Sequence, residues 1–255
     1  MKILLTNDDG PSGPGLLLMQ KVLQEFGDLT VVCPCEERSG VGHAITYLVP
    51  VHTGTAYLED GTLVTTLTGT PADCVKFGVL ELLESPPDLV VSGLNLGINA
   101  GVDLFYSGTV AAAVEGRFNG IFSVAFSTTR ANSLRTGAVA LQARRVLRLL
   151  LEHGPAAAGL FNVNIPDLSD REPEIRFTRQ SMAFPCGRFL RMEGPRERTH
   201  YWLDSTTEAP APEPDSDLAA IDAGDISVTP LRADLTDPAA LKRLAARLSA
   251  RLAET

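Results

Sequence analysis

The chain has 255 residues, 44% hydrophobic and 21% charged. That is enough for one large α/β domain, or for a domain of about 180 residues with an appendage, without disulfides or metal to hold the core. The balance of 22 basic against 31 acidic residues, net −9, argues against a broad basic face for duplex nucleic acid. A basic amphipathic tract, an apolar run of ~18 residues and a leader-like opening are all lacking, so a cytoplasmic protein without a membrane partner is expected.

The apolar strand Lys2–Thr6 stops at Asn7-Asp8-Asp9-Gly10, and a helical apolar pattern follows over Leu16–Phe26. Leu29–Cys33 reads as the next strand. Between Ala44 and Thr68 two alternating runs flank Glu59-Asp60-Gly61, a hairpin turn. Pro71 opens a helix that runs to Glu84, and Asp88–Val91 is an apolar strand leading into the glycine-rich segment Gly93–Gly101. A helix over Thr109–Phe118, a strand over Ile121–Ser127, a long helix over Leu134–His153 and a strand over Leu160–Ile165 complete the series. Apolar strands separated by helices predict a doubly wound, mostly parallel, Rossmann-like α/β sheet over residues 1–170.

Residues 171–255 read as a carboxyl-terminal extension of strands, loop and final helix. Ala209–Pro214 has the composition of an exposed linker, and Ile226–Thr229 returns as a strand. The last helix follows Asp237-Pro238 and carries Leu241, Leu244, Leu248 and Leu252 on one stripe, with Arg243, Arg247 and Arg251 on another face. Such a stripe packs either on its own domain or on another subunit. The four cysteines, Cys33, Cys35, Cys74 and Cys186, are too scattered for a disulfide framework and lack zinc spacing, so they read as reduced thiols.

Ligands of parallel α/β sheets collect beyond the carboxyl ends of the strands. Asp8 and Asp9 fall there, either as an Asp-Gly turn or as two mutually repelling carboxylates that need a cation. Ser39 lies among glycines after the second strand, and Asn95 and Asn99 lie between the glycines of 93–101, whose spacing is not the dinucleotide fingerprint. Ser107-Gly108-Thr109 opens a helix and offers hydroxyls and free N–H groups to an anion, or a plain N-cap; no lysine makes it a P-loop. Two Asp, one Ser and one Asn form an all-oxygen set suited to Mg²⁺, Mn²⁺ or Ca²⁺. A hard cation beside a helix start is equipment for phosphate ester hydrolysis. His43 is a candidate supporting or acid–base group; His52, His153 and His200 read as surface or capping residues.

Asn7-Asp8-Asp9-Gly10, Arg38-Ser39-Gly40 with Gly42–Thr46, Gly69–Val75, Ser92–Gly101, Tyr106–Ala112 and Ile226–Leu231 together resemble the SurE family of metal-dependent nucleotidases, in order along essentially the whole chain. The resemblance fades over Arg179–Asp217. It implies phosphate release from nucleoside 5′- and 3′-monophosphates, and from short polyphosphate, by a metal-activated water. One divalent cation per subunit, Mg²⁺ or Mn²⁺, would be held by Asp8, Asp9, Ser39 and Asn95. Asp8 or Asp9 would orient or deprotonate the water, and Asn99, Ser107, Gly108 and Thr109 would line the phosphate. A homodimer or homotetramer that exchanges its carboxyl-terminal hairpin and helix is also implied.

Two other readings stand beside it. In one, Asp8 is a nucleophile that forms an aspartyl-phosphate, although such phosphatases separate their two aspartates by one residue. In the other, the chain is a non-catalytic nucleotide-binding or assembly module, which gains nothing from adjacent aspartates.

Overall fold

Alternation along the first strand sets up two helical layers. In β1 (Lys2–Thr6), Ile3 and Leu5 join one buried cluster with Leu16, Met19 and Leu23 of α1 (Pro14–Leu23). Leu4 joins another, with Cys74 and Val75 of α2 (Pro71–Phe77). Successive side chains of a strand point to opposite faces, so a strand apolar at every position must be covered on both. The parallel neighbours repeat the arrangement. In β5 (Leu89–Leu96), Leu89 and Val91 face the first cluster and Val90 the second.

The computed structural model describes residues 1–153, 159–168, 171–184, 187–194, 198–204 and 210–253. Besides these elements it contains β2 (Asp28–Pro34), β3 (Thr53–Tyr57), β4 (Leu63–Leu67), α3 (Gly108–Phe118), β6 (Phe122–Thr128), α4 (Thr136–His153) and β7 (Leu160–Ile165). Further on come β8 (Ile175–Phe177), β9 (Arg188–Glu193), β10 (Thr199–Asp204), α5 (Asp217–Asp222), β11 (Ile226–Pro230) and α6 (Pro238–Ala253). Nine strands form one sheet in the order β3-β4-β2-β1-β5-β6-β7-β11-β8. The run from β4 to β7 is parallel, while β3 and β11 pair antiparallel with β4 and β7. This is the expected doubly wound α/β sheet.

Three local differences from the sequence reading stand out, and two of them have visible causes. The helix from Pro71 ends at Phe77 and widens into a π-helical turn over Gly78–Leu82, beginning where the glycine passes close to Leu4. β5 does not stop at Val91. It continues to Leu96 through an irregularity between Ser92 and Asn95, and a Cβ at Gly93 would stand 2.3 Å from the Phe126 carbonyl oxygen. That glycine therefore serves close strand approach rather than a loop. The hairpin around Glu59-Asp60-Gly61 is present, but β3 begins only at Thr53.

The segment after residue 170 contributes to the main sheet as well as beyond it. β11 lies against β7, and β8 lies parallel to β11, while β9 and β10 form a separate antiparallel pair. Residues 210–214 of the linker-like stretch are irregular yet tethered, since Arg179 reaches Glu213 at 3.4 Å and Asp215 at 2.8 Å. Ala209 and Cys186 lie outside the described residues. Cys33, Cys35 and Cys74 are free thiols, and burial pushes Cys33 up to about 12. Asp237 caps α6 by accepting from the Ala239 and Ala240 amides, and Leu241, Leu244 and Leu248 are 60, 63 and 61% exposed. The Leu252 side chain is outside the described residues. Among the described residues no helix is long and apolar enough to cross a membrane.

The contact of α1 with β5 is tight at one point: a Cβ at Gly15 would fall 1.8 Å from the Leu94 carbonyl oxygen. Gly15→Ala should lower the unfolding free energy by roughly 1–3 kcal/mol, as overpacking does. Gly137→Ala, in α4 where nothing lies within 4 Å, should instead raise it by about 0.4–1 kcal/mol. Denaturant unfolding of the two variants checks both.

Candidate active site

β1 and β5 are neighbours at the centre of the sheet, but the chain leaves β1 towards β2 on one side and builds β6 and β7 on the other. Such a reversal opens a crevice at the strands' carboxyl ends. A cavity of about 250 Å³ occupies it, and Asp8, Asp9, Ser39, Asn95, Asn99 and Ser107 all line it.

The turn and the carboxylates proposed for residues 7–10 coexist. Gly10 has a φ of 76°, and the Asn7 side-chain amide donates to the Gly10 carbonyl at 2.8 Å, which closes the turn before α1. Asp8 is 5% exposed and accepts from the Thr109 hydroxyl at 2.8 Å, while its backbone carbonyl accepts from the Arg38 amide at 2.7 Å. Burial raises its pKa in spite of the Thr109 bond. Asp9 is pushed up to about 6 by burial, then by the charges of Asp8 and Glu37, and Arg130 opposes the shift. Its Oδ2 is buried and has no hydrogen-bond partner.

A hard cation fits this arrangement. An unpartnered buried carboxylate oxygen beside a second buried carboxylate is costly until positive charge joins it. The Asn95 side-chain nitrogen donates to the Gly97 carbonyl at 2.7 Å, which turns its carbonyl oxygen into the end available to a metal. Ser39 donates its hydroxyl to Glu37 at 2.7 Å and keeps its lone pairs. The described residues hold no group of three or more His, Cys, Asp or Glu with metal-holding geometry. The set is two carboxylates with neutral oxygens, the pattern of Mg²⁺ or Mn²⁺ rather than Zn²⁺.

The four residues expected around a phosphate divide into two pairs. Asn99 and Ser107 reach the cavity wall, whereas Gly108 and Thr109 stand behind Asp8: Thr109 is fully buried, and a Cβ at Gly108 would lie 3.3 Å from the Asp8 Cβ. Ser107 caps α3 by accepting from the Val110 amide at 3.1 Å. Asn99 is held on every side. Asn162 and Asn164 donate to its carbonyl at 2.7 and 3.0 Å, Asn164 accepts from its amide at 2.9 Å, and its side-chain nitrogen donates to Ser127 at 2.8 Å.

Sequence reasoning passed over Asn162 and Asn164, although two asparagines in an otherwise fully buried strand were a legible sign of a polar task. It also passed over Glu37, Asp103, Tyr106 and Arg130, which line the same cavity. His43 is not at the aspartates. It contacts Glu115 at 3.1 Å and stacks on Phe118, and Lys76 reaches the same carboxylate at 2.7 Å. Burial opposes the Glu115 charge, but these two hydrogen bonds hold its carboxyl below the usual range. His43 thus ties the far end of the Ser39 loop to α3.

A raised pKa means that the folded chain binds the proton more tightly than the unfolded one. The Asp9 carboxylate therefore costs stability above about pH 6, and the cost fades as the pH falls towards 4. In EDTA, Asp9→Asn should unfold at higher denaturant than the parent at pH 7, and should flatten the parent's rise in stability between pH 6 and 4. A destabilised variant would mean that the chain itself satisfies the carboxylate.

Comparison with known proteins places the chain in one family. Residues 3–185 match the family model "Survival protein SurE". The chain is 39% identical over 238 residues to "5'-nucleotidase SurE" of Rhodopirellula baltica, covering 92% of this chain and 94% of that one. It is 41% identical over 237 residues to "5'/3'-nucleotidase SurE" of Shigella dysenteriae, covering 92% of each. The crystal structure of the SurE protein from Aquifex aeolicus superposes with a TM-score of 0.79 at 35% identity, covering 95% of this chain and 98% of that one. The chain belongs to the SurE family.

Proposed function

We propose that this protein is a nucleotidase that releases phosphate from nucleoside 5′- and 3′-monophosphates with the help of a divalent cation. The observation that carries the reading is the buried, unpartnered Asp9 Oδ2 beside a buried Asp8, at the switch point of the sheet. The names of the relatives, 5'-nucleotidase and 5'/3'-nucleotidase, point to the same substrates.

Asp8, Asp9, Ser39 and Asn95 would hold Mg²⁺ or Mn²⁺. When bound, the cation would supply Lewis-acid neutralisation of phosphate charge and acidify a water. Thr109 and the Arg38 amide fix Asp8 in place, so its carboxylate keeps one orientation through the reaction. Asp9 has no such restraint on Oδ2 and orients the attacking water or takes its proton. Asn99 and Ser107 bound the phosphoryl group, and the amino end of α3, starting at Gly108, lends it partial positive charge. Water is the nucleophile in this reading, and no phosphoenzyme forms.

The exposed leucines of α6 and the exposed Phe189, Tyr201, Trp202 and Leu203 of the β9–β10 pair leave apolar faces bare on a single chain. A second copy of this chain is the partner we assign to them, giving a dimer or tetramer. Leu244→Glu with Leu248→Glu should shift the sedimentation of the protein towards monomer; an unchanged value would remove α6 from the interface.

Phosphate release from 5′- and 3′-monophosphates, assayed with Mn²⁺, Mg²⁺ or EDTA, tests the activity. Asp8→Asn should reduce it roughly 10²-fold or more while the fold persists. Release that survives EDTA, or an unimpaired variant, would sink the metal reading. A trapped aspartyl-phosphate would make Asp8 the nucleophile instead.

A further inference from the structure

Among the described residues, the cavity at the switch point is lined by four acidic side chains, Asp8, Asp9, Glu37 and Asp103, and by a single basic one, Arg130. Burial alone pushes the Asp103 carboxyl up, and burial is also the largest cause of the rise at Asp8 and Asp9. A phosphomonoester arrives with about two negative charges of its own, so the field of the wall opposes its entry.

Arg130 is placed with care. It stands just past the carboxyl end of β6, where Ser127 and Thr128 pair in register with Asn95 and Leu96 of β5. It begins a 3-10 turn, Arg130–Leu134, that is anchored from beneath by Asn132. That side chain is 1% exposed. It donates to the Thr128 hydroxyl and the Pro166 carbonyl, each at 2.7 Å, and accepts from the Leu168 amide at 3.1 Å. The position of the arginine backbone is thus set by a fully bonded buried amide.

The side chain is committed only at one nitrogen: Nε donates to the Leu96 carbonyl at 3.3 Å. Although four carboxylates share its cavity, among the described residues none comes within 4.0 Å of the guanidinium. An arginine kept for structure would have taken one of them. This one holds its two terminal nitrogens uncommitted, the planar fork that matches two oxygens of a phosphoryl group.

We propose that Arg130 is the substrate-binding residue that grips the phosphoryl group of the phosphomonoester, and so supplies the counter-charge that an otherwise acidic cavity lacks. The inference rests on the nucleotidase reading for its substrate. Its partner chemistry is the phosphate itself, not the base or the sugar.

The test compares the full-length protein with Arg130→Gln and Arg130→Lys, in Mn²⁺. Arg135→Gln, an exposed arginine at the end of the same turn, controls for loss of a nearby charge. Two readouts are needed: KM and kcat for a nucleoside 5′-monophosphate, and Kd for inorganic phosphate by calorimetry. Arg130→Gln should raise both KM and the phosphate Kd about tenfold, the size of one charge-assisted pair, with a smaller effect on kcat. Arg130→Lys should recover part of the loss, because it keeps the charge and loses the fork. Arg135→Gln should match the parent.

A phosphate Kd unchanged in Arg130→Gln overturns the inference. If KM alone rises, Arg130 serves the nucleoside and the phosphoryl assignment is wrong. If the parent turns over no nucleotide but its phosphate affinity still depends on Arg130, the nucleotidase reading fails and this inference stands.

Discussion

Two carboxylates placed side by side at the end of a buried strand are the constraint around which the structure is arranged. Asp8 and Asp9 repel each other, and burial raises the cost of ionising either one. Most of what surrounds them holds them in that unfavourable state. Thr109 and the Arg38 amide fix Asp8 from behind, and the Gly10 turn directs the chain into α1. Asp9 Oδ2 is left buried without a hydrogen-bond partner. Function and stability are opposed at this point, as is common where a site is built to wait for a ligand.

The second theme is that the cavity is assembled from strand ends and fixed by polar side chains within the sheet. Asn162 and Asn164 of β7 and Ser127 of β6 converge on Asn99, and Asp217 of α5 accepts from the Gly101 amide at 2.9 Å. These are buried groups that would be costly unpaired, so their mutual bonding gives the 97–101 segment one conformation. The segment after residue 170 therefore helps to shape the wall, through α5, as well as carrying the apolar faces of α6 and the β9–β10 pair. His43, Glu115 and Lys76 perform the equivalent service for the Ser39 loop.

Much of this was legible in the sequence, because the physics behind it is local. Strands apolar at every position required two covering layers, and β1, β5 and the helices between them follow. Asp8, Asp9, Ser39 and Asn95 could be grouped because each sits just beyond a strand in a fold that gathers ligands there. What stayed hidden depends on register and on distance. Gly93 reads as a loop residue until β6 is seen to pass against it. Thr109 was expected at the phosphate, and only the seating of α3 on β5 and β6 turns its hydroxyl towards Asp8. Arg130 is one arginine among many until β6 delivers it to a cavity with no other positive side chain among the described residues. The strands β9 and β10 are exposed on both faces, so alternation could not place them residue by residue.

The central claim is that the paired aspartates form a cation site, and thermal unfolding tests it without reference to turnover. A ligand that binds only the folded state stabilises it by RT ln(1 + L/Kd), L being the free ligand concentration, and so raises the melting temperature. With millimolar Mn²⁺ or Mg²⁺ in place of EDTA at neutral pH, the parent Tm should rise clearly, and that of Asp9→Asn should barely move. An equal shift in both proteins, or none in the parent, would contradict the account.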